Sequence, residues 1–155
     1  MNSLDYTKFS ILRDVPGHTI DRLWKKVDRK VYSKNEHIFQ QGDPAESFYF
    51  LIDGELLMQV EHSRMTVTLG TLRSGYCFGW SSLMPQQRHR HTVLCSETST
   101  VAVVPATSIR SVIDSNDFSG TTLLRNVCRL LKDRLELRTD QLMKVIESHP
   151  HLGVA

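Results

Sequence analysis

The sequence has few cysteines and no metal-binding arrangement of them. Cys77, Cys95 and Cys128 stand far apart, and the 155 residues contain no Cys-x-x-Cys pair. This spacing gives no support for a zinc or iron–sulfur centre. An odd number of isolated thiols is typical of proteins in a reducing compartment, so we expect a cytoplasmic protein.

Long hydrophobic runs and a strong net charge are also absent. No apolar stretch approaches the ~18 residues that span a membrane, and Met1–Ser10 is too polar for a signal peptide. The formal net charge of +2 is too small to indicate nucleic-acid binding by itself. Apolar residues make up 40% of the chain, which is enough for one globular domain with a hydrophobic core.

Short strand-like segments fill the middle of the chain and alternate with turn residues. About eight such segments at this spacing predict a β-sandwich or a jelly-roll barrel. Asp53-Gly54 lies between two apolar runs and predicts a two-residue hairpin turn. We expect strands at Arg29–Tyr32, His37–Phe39, Ser47–Asp53, Gly54–His62, Met65–Leu72, Cys77–Trp80, His91–Ser96 and Ser99–Pro105.

Helical periodicity is confined to the two ends. Apolar residues at spacings of three and four predict a helix at His18–Val27, and the C-terminal part predicts helices at Ala106–Asp114 and Phe118–Ser148. The predicted fold is therefore mainly β. It is a double-stranded β-helix, or jelly-roll barrel, flanked by short N-terminal helices and a long C-terminal dimerisation helix. We assign one domain, 1–155, made of N-terminal helices (1–28), a barrel (29–105) and C-terminal helices (106–155).

The long helix carries two apolar stripes. One stripe has heptad spacing and is suited to a partner helix. The other contains Leu123, Val127, Leu130 and Leu137 and is expected to pack on the barrel, with Arg134 standing among them. A helix of about 30 residues is roughly 45 Å long, more than a small barrel covers, so we predict a homodimer. Its seam would consist of Leu124, Cys128, Leu131, Leu135 and Leu142.

The segment Gly75–Val93 combines a glycine turn with a short basic run. Gly79 permits close approach of the backbone to a ligand, and Ser81 or Ser82 is a suitable cap for a short helix. A helix start attracts anions, and the run Arg88–His91 follows within reach. The segment therefore predicts a phosphate cradle, and a surface loop with solvated charges remains the alternative.

Three blocks of the sequence together resemble the cyclic nucleotide-binding domain of the catabolite activator (cyclic-AMP receptor) class. The first is Lys34–Glu55, with its Gly42-Asp43 turn and an aromatic-rich strand ending near Gly54. The second is the segment Gly75–Val93, which resembles the phosphate-binding cassette of the family. The third is Ser99–Val112 with the long helix after it, which is similar to the last strand and the dimerisation helix.

The resemblance implies a ligand, cyclic AMP or cyclic GMP, bound in the barrel, and no certain cofactor. Two positions depart from the family pattern. Trp80 replaces the glutamate that binds the ribose hydroxyl, and His89 stands where the family has its phosphate-binding arginine, although a one-residue shift of the loop would restore an arginine. Both Trp80 and Arg134 also have an alternative role without a ligand. Trp80 would be an aromatic residue of the core, and Arg134 would extend its charged end to solvent. The implied ligand-binding residues are Phe78, Gly79, Trp80, Ser81, Arg88, His89, Arg90, Thr92 and Arg134.

The resemblance implies a regulatory module and not an enzyme. Related regulators of transcription carry a helix-turn-helix domain after the long helix, and we expect none in this chain, which is either a stand-alone sensor or part of a longer protein. Three alternatives stay open. They are a barrel kept for protein contacts alone, a haem sensor using Cys77, His89 or His91, and a jelly-roll metalloenzyme using His37, His62, His89 and His91.

Overall fold

The computed structural model describes residues 6–149, so the ends of the predicted N- and C-terminal segments lie outside the described residues. Eight strands occupy the middle of the chain, as the sequence predicts. They are β1 (Asp28–Tyr32), β2 (His37–Phe39), β3 (Ser47–Asp53), β4 (Glu55–His62), β5 (Met65–Arg73), β6 (Cys77–Phe78), β7 (Thr92–Cys95) and β8 (Ser99–Pro105). The helices are α1 (Gly17–Trp24), α2 (Ala106–Ile113) and α3 (Phe118–Ser148), with short 3₁₀ turns at Tyr6–Lys8, Ser10–Leu12 and Trp80–Leu83.

The strands form two antiparallel sheets of four strands each. The first sheet has the order β1-β8-β3-β6 and the second β2-β7-β4-β5. Consecutive strands therefore often belong to different sheets, which is the arrangement of a jelly roll. The predicted mainly-β jelly-roll fold with flanking helices is confirmed, although the two sheets do not close into a continuous barrel.

Strand β3 separates two hydrophobic clusters because side chains alternate along a strand. Tyr49 and Leu51 face the inside of the sandwich, where they pack with residues of the second sheet. Phe48 and Phe50 face outward and pack with the helices. The outer cluster contains residues of the N-terminal turns, α1, α2 and the first half of α3. Both faces of β3 are thus buried, and the helices are fixed against one of them.

The predicted hairpin at Asp53-Gly54 is wrong. β3 pairs with β6 and β8, whereas β4 pairs with β5 and β7, so the chain changes sheets at Gly54. Gly54 has φ +96°, and a Cβ there would lie 2.7 Å from the Cα of Ser99. The position requires glycine because the corner presses against β8. The two-residue turn between paired strands is Ser63-Arg64, which joins β4 to β5.

We expect Gly54→Ala to destabilise the fold by about 3 kcal/mol or more. A non-glycine residue at positive φ costs about 1–2 kcal/mol, and crowding of a packed backbone adds about 1–3 kcal/mol. Gly42→Ala is a matched control, because Gly42 has φ +94° and open space around its missing Cβ. Urea unfolding should show a loss of only about 1–2 kcal/mol for the control. Equal losses for both variants would contradict the proposed steric contact with Ser99.

Helix α3 is anchored by its buried N-terminal half and is largely exposed afterwards. Asp117 caps it by accepting from the backbone N–H of Gly120 (2.9 Å), and Asn126 donates to the carbonyls of Ile11 (3.0 Å) and Arg13 (2.7 Å). The prediction that the second stripe packs inward is confirmed for Leu123 and Val127. It is wrong for Leu137, which is exposed.

The predicted strand Cys77–Trp80 is too long. It ends at Phe78 because Gly79 adopts the left-handed conformation with φ +83° and starts the 3₁₀ turn Trp80–Leu83. A Cβ on Gly79 would approach the ring of Tyr49 to 2.6 Å, so β3 dictates glycine here. The cassette therefore begins with one short helical turn, fixed against β3.

Candidate functional site

A cavity of about 270 Å³ lies between the open edge of the sandwich and helix α3. Its wall is apolar and comes from the inner faces of the strands. The residues of this wall are Phe39, Met58, Leu72, Phe78 and Val93. The cassette contributes Gly79, Trp80, Ser81, His89, Arg90 and His91, and α3 contributes Leu131, Arg134, Leu137 and Arg138. Four of the five wall residues belong to the inner hydrophobic cluster and the fifth, Met58, packs against it, so an occupant contacts the core directly.

Arg134 connects the long helix to the cassette. Its guanidinium lies 4.5 Å from the ring centre of Tyr76 and 4.4 Å from that of Trp80. Its Nη2 donates to the carbonyl of Cys77 at 2.6 Å. Burial lowers the pKa of this guanidinium from its usual value. Arg134 is thus a half-buried cation that two aromatic rings and one carbonyl stabilise.

Trp80 uses its ring to build the cassette as well as to hold Arg134. Its edge packs on Phe48 in a T-shaped contact, with 5.2 Å between ring centres. Its indole N–H is buried and finds no acceptor among the described residues. The sequence suggested two roles for Trp80, a core aromatic and a residue beside the ligand. The side chain of Trp80 packs on the core and also lines the cavity.

His89 is buried and stacked face to face on Phe39. The ring centres are 3.6 Å apart and the planes differ by 9°. Its backbone pairs with the turn at Gly42-Asp43, since His89 N–H donates to Asp43 (2.9 Å) and Gly42 N–H donates to His89 (2.8 Å). Burial lowers the pKa of the imidazole below its usual 6.5, so the ring is neutral at pH 7. His89 consequently brings no positive charge to an anion.

The structure separates Arg88 and Thr92 from the cavity and places Arg90 on it. The guanidinium of Arg88 donates to the carbonyl of Gly42 at 2.7 Å and is exposed. The hydroxyl of Thr92 is buried and accepts from the backbone N–H of Gln41 at 3.0 Å. Phe78, Gly79, Trp80, Ser81, His89, Arg90 and Arg134, by contrast, all line the cavity.

Tyr76, His91 and Arg138 line the cavity with polar groups, although none of them is among the ligand-binding residues predicted from the sequence. Burial lowers the pKa of His91, and the charges of Arg138 and Arg90 lower it further, so these three groups lie close together. Arg138 stands one helical turn after Arg134, and that spacing of four residues was the signal available in the sequence. Tyr76 had no such signal, because its place beside Arg134 depends on where α3 crosses the cassette.

The model of the family described as "Cyclic nucleotide-binding domain" matches residues 29–116. This stretch is more than half of the chain and includes the cassette and all eight strands apart from the first residue of β1. The chain belongs to the cyclic nucleotide-binding domain family. The resemblance read from the cassette and the turn at Gly42 is thereby confirmed.

Relatives of this cyclic nucleotide-binding domain include both a regulator and an enzyme. The Global nitrogen regulator of Nostoc sp. is 27% identical over 115 residues, which cover 71% of this chain and 51% of the regulator. Glutaminase 1 of Bradyrhizobium diazoefficiens is 27% identical over 106 residues, which cover 68% of this chain but only 17% of the glutaminase. The chain thus spans about half of the length of one of these curated relatives and less than a fifth of the other.

The fold of the domain is also that of solved regulators. The catabolite activator protein of Thermus thermophilus superimposes with a TM-score of 0.73 at 19% identity. The match covers 89% of this chain and 63% of the activator. At this identity the similarity establishes the fold, and the chemistry of the site has to be argued from the residues.

The residues required by the metalloenzyme alternative are not arranged as a ligand set, and among the candidate haem ligands His89 and His91 line the cavity whereas the thiol of Cys77 does not. Cys77 packs into the outer hydrophobic cluster, away from the cavity, and burial raises the pKa of its thiol to about 12. Between residues 6 and 149, no three His, Cys, Asp or Glu side chains come together as a metal site. None of the helices in that range is long and apolar enough to cross a membrane.

Proposed function

We propose that this chain is a ligand-sensing regulatory module, not an enzyme, that binds an anion in the cavity between cassette and helix. The candidate ligands are a cyclic nucleotide, cyclic AMP or cyclic GMP, or a similar anionic molecule. The observation that carries the proposal is the set of Arg90, Arg134 and Arg138 around one cavity. None of the three forms an ion pair with a carboxylate within residues 6–149.

The binding residues that we propose follow the geometry of the cavity. Gly79 and Ser81 offer the backbone and hydroxyl of the cassette, and Arg90 and Arg134 supply the charge. Phe78, Trp80 and His89 would contact the body of the ligand. The family resemblance also implies Arg88 and Thr92 as ligand-binding residues. They would contact the ligand only if the loop rearranges when the ligand binds.

The mechanism would be a shift between two arrangements of cassette and helix. A ligand changes such an equilibrium only through different contacts in the two states. Arg134 is suited to this because it belongs to α3 and makes all its contacts with Tyr76, Cys77 and Trp80 of the cassette region. An anion that attracts this guanidinium competes with those contacts and thereby moves α3.

The long helix would transmit the shift to a second copy of the chain. All five predicted seam residues, Leu124, Cys128, Leu131, Leu135 and Leu142, are exposed. A row of exposed leucines at heptad spacing supports a homodimer through a helix pair. We propose that the chain is one domain over 1–155 and acts in the cytoplasm, which agrees with its free thiols.

Ligand binding can be tested by comparing Arg90→Ala with Arg88→Ala. Cyclic AMP, cyclic GMP and a cyclic dinucleotide would be titrated against the chain by thermal shift and calorimetry, since a ligand that binds the folded state raises the Tm with concentration. A charge-assisted hydrogen bond is worth about 1.5–3 kcal/mol, so we expect Arg90→Ala to weaken binding about tenfold or more. Arg88→Ala should change the affinity less than about twofold, because Arg88 already donates to Gly42.

The opposite ranking of the two variants would indicate that the loop shifts on binding and that the sequence-based assignment of Arg88 is correct. If no anion stabilises the chain, the proposed sensing function is wrong. The remaining function would then be that of a barrel kept for protein contacts. The neutral His89 and the Trp80 in place of the family's glutamate are the observations that favour this second candidate.

A further inference from the structure

All the charged groups that line the cavity are hydrogen-bond donors. Of the sixteen residues that line it, three are arginines and none is Asp or Glu. The side-chain acceptors among them are neutral, namely the hydroxyls of Tyr76 and Ser81 and the imidazoles of His89 and His91. The carbonyl of Cys77, which lies beside the cavity, already accepts from Arg134. A ligand with hydroxyl or amine donors would therefore find only neutral side-chain acceptors, whereas an anionic acceptor group would find three charged donors.

The positive charge of the site comes from two kinds of arginine. Arg134 is half-buried and held by the cassette, whereas Arg90 and Arg138 are exposed. Arg90 has no hydrogen bond or ion pair within residues 6–149, and Arg138 uses Nη1 for the carbonyl of Leu69 (2.7 Å) and for Gln141 (2.8 Å). The unpaired charge is concentrated where Arg90 and Arg138 flank His91.

The rest of the cavity is apolar and aromatic. Phe39, Phe78 and Met58 form its wall with Leu72 and Val93, and the ring of His89 continues the wall because it is stacked on Phe39. Such a wall favours an occupant with a flat apolar body, which gains free energy from the area that it buries. A ribose offers little such area and requires acceptors for its hydroxyl groups.

We infer that the preferred ligand of this cavity is an aromatic or otherwise apolar carboxylate, held through its anionic group by Arg90 and Arg138, and not a cyclic nucleotide. The inference rests on the proposed function, since it concerns the same cavity. It follows from the match between an acceptor-only head group and two guanidinium groups, that of Arg90, which has no partner within residues 6–149, and that of Arg138, of which only Nη1 is engaged. It follows also from the match between a flat apolar body and the aromatic wall.

The test uses four probes with the full chain: naphthoate, its neutral analogue naphthamide, acetate and cyclic AMP. Sodium chloride would equalise the ionic strength, because salt screens the arginines. Calorimetry should give naphthoate an affinity at least about tenfold above that of naphthamide, which lacks the charge, and of acetate, which lacks the apolar body. Cyclic AMP should bind more weakly than naphthoate.

Two further measurements locate the site. The double variant Arg90→Ala/Arg138→Ala should lose at least tenfold in naphthoate affinity, whereas Arg125→Ala, an exposed arginine of the same helix outside the cavity, should lose none. The chain has two tryptophans, so its NMR spectrum has two indole N–H signals. Naphthoate should shift the signal of Trp80, which lines the cavity, and leave that of Trp24, which packs in the outer cluster.

The outcomes separate this inference from the function on which it rests. If cyclic AMP binds more tightly than naphthoate, the inference is overturned and the sensing function stands. Naphthoate binding that survives in the double variant, or that leaves Trp80 unaffected, also overturns the inference because the acid then binds elsewhere. If naphthoate does not bind, the inference fails, and the sensing function fails with it only if cyclic AMP, cyclic GMP and the cyclic dinucleotide do not bind either.

Discussion

Leu135→Asp combined with Leu142→Asp is expected to convert a dimer of this chain into a folded monomer. Both leucines belong to the predicted seam and are 68% and 59% exposed, so they contribute nothing to the core of one chain. In a paired helix the substitutions would bury four carboxylates across the two-fold axis, each at a cost of several kcal/mol. We expect the dissociation constant to rise on the order of a thousandfold or more, measured by light scattering over a concentration series.

Lys144→Asp is the matched control for this experiment. It changes the net charge by the same two units, and at 3.6 residues per turn it lies about half a turn around the helix from Leu135. Lys144 is exposed as well, so the control should remain a dimer with unchanged circular dichroism. A wild-type chain that stays monomeric at high concentration would refute the seam, and so would a control that dissociates as readily as the double variant.

Arg134→Ala is expected to release helix α3 from the cassette. The substitution removes a hydrogen bond from a charged donor, worth about 1.5–3 kcal/mol, and two cation–π contacts, worth about 0.5–2 kcal/mol each. Water will form some hydrogen bonds in place of the lost contacts. We therefore expect the free energy that holds the helix on the cassette to fall by about 2–4 kcal/mol. Hydrogen exchange should quicken at Cys77–Phe78 and in α3 after Leu130, where few other contacts hold the helix.

Two variants separate the contacts of Arg134 from its charge. Arg134→Lys keeps the charge and loses the planar group that fits between two rings, so its exchange should resemble that of the alanine variant more than that of the wild type. Arg125→Ala removes an exposed arginine of the same helix and should leave exchange unchanged. If Arg134→Ala exchanges like the wild type, Arg134 does not couple helix to cassette, and the proposed signalling route is wrong.

The positions of strands and helices were largely predictable, because local patterns control them. Apolar runs rich in Val, Ile, Thr and aromatic residues and bounded by turn residues placed β3 and β8 at their observed bounds, and helical periodicity placed α3 at Phe118–Ser148. The observed connections between strands differ from the prediction where packing against another strand determines the conformation. Gly54 looks like a hairpin glycine in the sequence, but the packing of β8 against it makes it a corner between two sheets.

The candidate site shows the same division. The sequence alone determined the family, through the glycine framework and the cassette, and it determined which residues carry charge or aromatic rings. Whether a given residue reaches the cavity depends on contacts between segments distant in sequence. Arg88 donates to the carbonyl of Gly42 and does not line the cavity, and His89 is stacked on Phe39. Arg138 and Tyr76 line the cavity because α3 crosses the cassette there. Only the tertiary structure decides these placements, because each depends on hydrogen bonds and packing that no local pattern encodes.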